Sequence, residues 1–139
     1  LSYVFGYSVM LDMSARDCRR AGQWIYSKGQ DTYAPFGPCI VTADEIPDPQ
    51  ALDMWLDING EAKQRGNSRT MIFGVAEIVS YLSQFMTLEP GDIITTGTPP
   101  GVGMGQTPPT YLKAGDSIAL GIAGLGEQKQ AVVAWSRAG

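Results

Sequence analysis

Between residues 52 and 58 apolar and polar side chains alternate, with Leu52, Met54, Leu56 and Ile58 on one face and Asp53, Trp55 and Asp57 on the other. A period of two is that of a strand with one buried face. The run ends at Asn59-Gly60, a dipeptide suited to a type I′ turn because both central residues of that turn need φ > 0. The pattern therefore predicts a hairpin, with residues 61–64 beginning the return strand. Further on the period changes. Ile72, Val75, Ile78, Val79, Leu82 and Phe85 recur at helical spacing, which predicts one main helix over about 70–86 with a core-facing stripe. Asn67 or Ser68 stands where its cap is expected.

Around these two elements the chain reads as short strands and tight turns. An apolar run over 1–11 predicts a buried strand that breaks at Asp12, and the polar cluster Ser14, Arg16, Asp17, Arg19 and Arg20 follows. Residues 14–22 suit one or two helical turns with Ser14 as their cap. The short apolar-aromatic stretch 23–26 leads into a polar segment, Lys28 to Thr32. Pro35, Gly37 and Pro38 then exclude a helix, so extended chain should pass into a strand at 39–42. Residues 44–49 hold two prolines and read as a loop with solvated acids. A turn at 88–92 should enter a short strand at 93–96, and the similar turn at 113–116 a strand at 117–122. Residues 128–134 complete a hairpin around Gly124-Leu125-Gly126. The sum is α+β, mostly β, with a sandwich or barrel-like core. No linker or repeat divides it, so residues 1–139 are expected to form a single domain.

Composition narrows the function classes. The 139 residues are 44% hydrophobic and 17% charged, with a net charge of −4. The absence of a basic block argues against nucleic acid as a main partner. No apolar run has the length of a membrane span and no basic amphipathic helix suggests surface attachment, so no membrane role is expected. Cys18 and Cys39 are too few for a disulfide framework and lack metal-ligand spacing. They read as free thiols of a cytoplasmic protein, one disulfide between them being the alternative. There is no histidine, so no imidazole base is available within these residues. The chain opens on Leu1 inside a predicted strand and is expected to be part of something longer.

Two places carry candidate chemistry. A lone carboxylate at the end of a buried strand, as Asp12 is predicted to be, must be paired or metal-bound because isolated charge is costly to desolvate. Arg16 is close enough in sequence to be its counter-ion; a divalent cation, which prefers oxygen ligands, is the other possibility. The second place is Gly97-Thr98-Pro99-Pro100-Gly101-Val102-Gly103. Its open backbone amides suit an anion, or it is simply a tight turn. It is not a phosphate loop, since the Gly-Lys-Ser/Thr ending and the following helix are missing.

Several segments in one order complete the sequence reading: GYSVMLDMSARD, KGQDTYAPFGPCIVTADEIPDPQ, NGE, MIFGVAEIVSYLSQFMTLEPGDIITTGTPPGVG and YLKAGDSIALGIAGLG. Together they resemble the C-terminal catalytic domain of the fumarylacetoacetate hydrolase family. The resemblance implies a distorted β-roll or barrel, a homodimer, a Mg²⁺ or Mn²⁺ site, and hydrolysis of a C–C bond in an acylpyruvate or diketo acid. Decarboxylation or isomerisation of an oxo acid, a ureidoglycolate lyase-like reaction, or a non-catalytic scaffold are the alternatives. By the same resemblance Asp12 is a metal ligand, and Lys28 and Arg16 are catalytic. Thr98 binds a substrate carboxylate or oxo group, and Arg19, where many members carry glutamine, faces a second anionic group or solvent. The family's Glu-x-Glu metal ligands have no counterpart, since Glu45, Glu61, Glu77, Glu89 and Glu127 each stand alone. The resemblance places that pair in an N-terminal segment upstream of Leu1, and implies that the 139 residues alone neither hold metal tightly nor turn over substrate.

Overall fold

The computed structural model describes residues 1–19 and 22–136. It contains the predicted hairpin, with β3 at Asp53–Ile58 and β4 at Glu61–Asn67, where the return strand begins as expected and runs on to Asn67. Asn59 and Gly60 both have positive φ, 53° and 80°, as a type I′ turn requires. β5, Ser117–Ile122, and β6, Gly126–Ala131, form the second hairpin. All four strands join in one antiparallel sheet of order β4-β3-β5-β6. A bulge between Leu56 and Asp57 interrupts the β3–β4 register. There the Arg65 guanidinium donates to the Leu56 and Gln64 carbonyls at 3.2 and 2.7 Å.

The register explains how the sheet holds the loops around it. Leu56 stands opposite Gln64 on β4 and Leu120 on β5, and Leu120 stands opposite Gln128 on β6. Directly opposed residues share a face, so one row across the sheet reads Gln64, Leu56, Leu120, Gln128. Both glutamines are buried. Gln128 donates from Nε2 to the carbonyls of Val9 and Gly37, at 2.9 and 2.6 Å. Gln64 donates to Thr98 Oγ1 and the Pro99 carbonyl, at 2.9 and 2.6 Å. Each outer strand thus clasps irregular chain by a buried amide, β6 at two segments and β4 at one. The core on this face consists of Val9, Ile46, Ile118, Leu120 and Leu125. Leu125 belongs to a hairpin turn, yet it is only 3% exposed.

A second, two-stranded sheet pairs β1, Gly6–Tyr7, with β2, Val41–Thr42. The predicted strand at 1–11 is thus mostly irregular. Beyond β1 its ladder continues only as the Met10–Phe36 bridge and single bonds such as Leu11 N–H to the Pro35 carbonyl at 3.0 Å. Pro35 and Pro38 on the opposing segment have no N–H to donate, so a continuous ladder cannot form there.

The helices also depart from the pattern. The main helix, α2, spans Val75–Leu82 rather than 70–86. Asn67 does cap a helical turn, its side chain accepting from Arg69 N–H at 2.9 Å, but that turn is the 3₁₀ piece Ser68–Thr70. α2 starts after Gly74, where Gln50 Oε1 accepts the Val75 N–H at 2.6 Å. The apolar stripe does not enter the core: no residue of α2 is buried, and Ile72 and Phe85 beside it are 89% and 69% exposed. Residues 93–96 form no strand among the described residues, having no ladder partner. An unpredicted short helix, α1, occupies Ile25–Lys28. Among the described residues no helix is long and apolar enough to cross a membrane. Cys18 and Cys39 are free thiols.

Candidate active site

Asp12 lies just past the Met10–Phe36 bridge, where the chain leaves the small sheet. Its partner is Lys28, not Arg16. Lys28 Nζ stands 2.5 Å from Asp12 Oδ2 and donates to Ser14 Oγ at 2.9 Å. The pairing arises because the chain reverses after the 3₁₀ turn Arg16–Cys18 and returns as α1. Ser27, fully buried, locks this reversal. Its Oγ donates to the Ala15 carbonyl at 2.8 Å, and its own carbonyl accepts the Ala15 N–H at 2.9 Å. The next residue, Lys28, is thereby set beside Asp12. Ser14 does not cap the 3₁₀ turn as expected; the turn begins at Ala15 without a side-chain cap, and the Ser14 hydroxyl faces the lysine.

Trp24 completes the cluster. Arg19 Cζ lies 4.4 Å from the Trp24 ring centroid and Lys28 Nζ lies 5.8 Å from it. Both distances are within reach of a cation–π attraction, worth about 0.5–1 kcal/mol at exposed sites. Two cations therefore share one aromatic ring while one carboxylate, Asp12, pairs with Lys28. The Lys28 and Asp12 side chains are 33% and 46% exposed. A pair this open to water adds at most about 1 kcal/mol to stability. Its consequence is positional: it holds an ammonium at a fixed place on an accessible surface.

Arg16, in the 3₁₀ turn, makes no ion pair among the described residues, and Arg20 lies outside them. Thr98 is exposed in the Gly/Pro loop, which Gln64 holds against β4. Gly101 has φ +113°, and a Cβ there would run into the Lys63 carbonyl, so the loop can lie this close to β4 only with glycine. No hydrogen bond or ion pair among the described residues connects Thr98 with the Asp12–Lys28 pair. The pattern missed Ser27, Trp24 and Gln64. Nothing local marks them, since each acts through a residue distant in sequence or across a chain reversal.

Asp12 offers a single carboxylate. Among the described residues no group of three or more Asp, Glu, Cys or His side chains could hold a metal ion, and the Asp12 carboxylate is engaged by Lys28. Divalent cations such as Mg²⁺ need several oxygen ligands. These residues alone do not fit one.

The family described as Fumarylacetoacetate (FAA) hydrolase C-terminal matches residues 1–133. A Burkholderia multivorans protein named only as a hydrolase is 59% identical over 133 residues, which make up 94% of this chain and 47% of that protein. The fumarylacetoacetate hydrolase of the psychrophile Exiguobacterium antarcticum superposes with a TM-score of 0.92 at 43% identity, covering 96% of this chain and 48% of that one. A fumarylpyruvate hydrolase from Pseudomonas aeruginosa, solved with Mn²⁺ and pyruvate, gives 0.84 at 37% identity, covering 95% and 55%. The chain thus spans about half the length of the curated relatives it matches. On the strength of these matches and of its fold, the chain belongs to the fumarylacetoacetate hydrolase family.

Proposed function

We propose that the polypeptide to which these residues belong is a metal-dependent hydrolase that splits the C–C bond of an acylpyruvate or related diketo acid. Breaking that bond leaves its electron pair on the carbon next to a carbonyl, as an enolate, while water adds to the other carbonyl. The observation that carries the reading is Lys28, whose ammonium is fixed by Asp12 and Ser14 beside the exposed face of Trp24. A preorganised cation where negative charge develops stabilises a transition state more than a ground state. In this reading Lys28 faces the enolate oxygen, and Arg16, in the 3₁₀ turn before the chain reversal, is the second catalytic cation. Arg19, held against Trp24, and Thr98, held by Gln64, bind the anionic and oxo groups of the substrate. A divalent cation, Mg²⁺ or Mn²⁺, supplies Lewis-acid charge withdrawal in such chemistry. Asp12 offers it one oxygen, and its other ligands come from outside these residues. The manganese-bound fumarylpyruvate hydrolase supports that part of the reading.

The test uses the full-length polypeptide with manganese and a panel of acylpyruvates, following loss of the enol absorbance and the acids produced. Lys28→Met should lower kcat about 10²–10³-fold, the cost of removing one oxyanion donor, with KM and metal affinity nearly unchanged. A variant that weakens metal binding and leaves kcat intact would remove Lys28 from this role. Isomerised or decarboxylated product, in place of two acids, would assign the same site to enolate chemistry without attack by water.

A further inference from the structure

α2 and the segments on either side of it expose a run of large apolar side chains. Ile72, Phe73, Tyr81, Phe85, Met86 and Ile93 are each between 54% and 89% exposed, and no residue of α2 itself is buried. The Tyr81 and Phe85 rings touch each other at 5.0 Å between centroids, yet both remain exposed. At its start the helix is tied to the rest by the Gln50 side chain, which accepts from Val75 and donates to the Ser68 carbonyl. The apolar stripe of α2 itself, Val75, Ile78, Val79 and Leu82, is only half-buried, and large apolar side chains exposed together mark an interaction surface.

The surface area indicates what covers it. The chain exposes 9969 Å², about 3,000 Å² more than the roughly 7,000 Å² expected for a compact monomer of this size. A standard interface hides only about 800 Å² on each partner, and obligate homodimers hide about 1,000–2,500 Å². A standard-size dimer contact is too small to account for the excess. About half of each matched relative's length lies outside the part that aligns with this chain, which is enough polypeptide to do so. We infer that the face formed by residues 72–93, with α2 at its centre, is an intramolecular docking surface. Its occupant is the other half of the same polypeptide, not a second copy or an unrelated partner. This inference stands apart from the proposed reaction, since neither the area nor the helix depends on Lys28 or Asp12.

The experiment takes the full-length polypeptide with p-benzoylphenylalanine in place of Phe85, and separately in place of Ile72, prepared as an equal mixture of ¹⁴N- and ¹⁵N-labelled protein. After irradiation, cross-linked peptides of a single isotope that join position 85 or 72 to residues preceding Leu1 are expected. Mixed-isotope cross-links would place a second copy on this face and overturn the inference, as would the absence of any cross-link from either position. Amide hydrogen exchange on the unsubstituted polypeptide covers the case in which both replacements prevent folding. Residues 75–86 should then be protected as strongly as β3 and β5 at every protein concentration. Exchange at loop rates, or protection that disappears on dilution, would overturn the inference.

Discussion

Single residues in this chain act chiefly by fixing a neighbour. Asp116 shows it away from the candidate site. Its carboxylate is buried, accepts from Asn59 Nδ2 and Lys113 Nζ at 2.9 Å each, and also accepts the Lys113 backbone N–H at 2.9 Å. Asn59 Oδ1 in turn accepts the Ser117 N–H at 2.9 Å, so the type I′ turn of one hairpin is riveted to the turn that opens β5. The hydrogen bonds from Asn59 and Lys113 hold the Asp116 pKa down, from 3.8 to about 2. A carboxyl whose pKa is depressed by folding stabilises the folded state above its unfolded pKa, and the contribution is lost as pH falls through the folded one. The expected outcome is that Asp116→Asn lowers stability at neutral pH, because the amide cannot accept all three donors. The gap between wild type and variant should narrow as pH drops from about 4 to about 2. Urea unfolding of the full-length pair across that range checks it; a gap that does not narrow would mean the carboxylate is not the stabilising form.

At the scale of elements, the sequence was legible where a structure is local and opaque where it depends on a distant partner. The 59–60 hairpin follows from the alternation and the Asn-Gly pair alone. The turns at 89–92 and 113–116 repeat each other as read. In both, an aspartate accepts the N–H three residues before it, and the glycine has positive φ. Only the second leads into a strand, because only the second finds a ladder partner. The Asp12 and Lys28 candidates were legible through their motif, but their direct contact depends on the reversal that Ser27 locks. The glutamine clasps were invisible, since a glutamine in an alternating strand reads as solvent-facing. They separate two functions that a variant can test. Gln128→Ala should leave the Gly37 carbonyl without its side-chain donor, while the Val9 carbonyl keeps the Gly37 N–H at 3.0 Å, and so destabilise the full-length protein by about 1–3 kcal/mol. Gln64→Ala loosens the loop that carries the exposed Thr98, so the stability loss should be about 1 kcal/mol. Its main effect should be a raised KM for the oxo acid. Chemical denaturation and steady-state kinetics on the two variants distinguish them. Equal stability losses with unchanged KM would show that the loop position does not matter to the site.

At the scale of the whole molecule the governing quantity is the mismatch between core and surface. Five apolar side chains are buried among the described residues, Val9, Ile46, Ile118, Leu120 and Leu125, and each contributes about 1.5–3 kcal/mol by leaving water. Against them stand Tyr3, Phe5, Ile72, Val133 and Trp135, all at least 75% exposed. A chain that buries so little has a small margin over the conformational entropy lost on folding. The net charge of −4 opposes association only weakly at physiological ionic strength, where exposed charges more than about 8 Å apart are screened. The 139 residues expressed alone should therefore bind the dye ANS strongly, self-associate as concentration rises, and unfold over a broad temperature range. The same residues within the full-length polypeptide should bind little dye and unfold in one cooperative transition. Light scattering, dye fluorescence and calorimetry on the two proteins make the comparison. If the short chain proves monomeric, dye-silent and sharply cooperative, its exposed apolar faces carry no free-energy deficit, and the central sheet alone suffices to hold the fold.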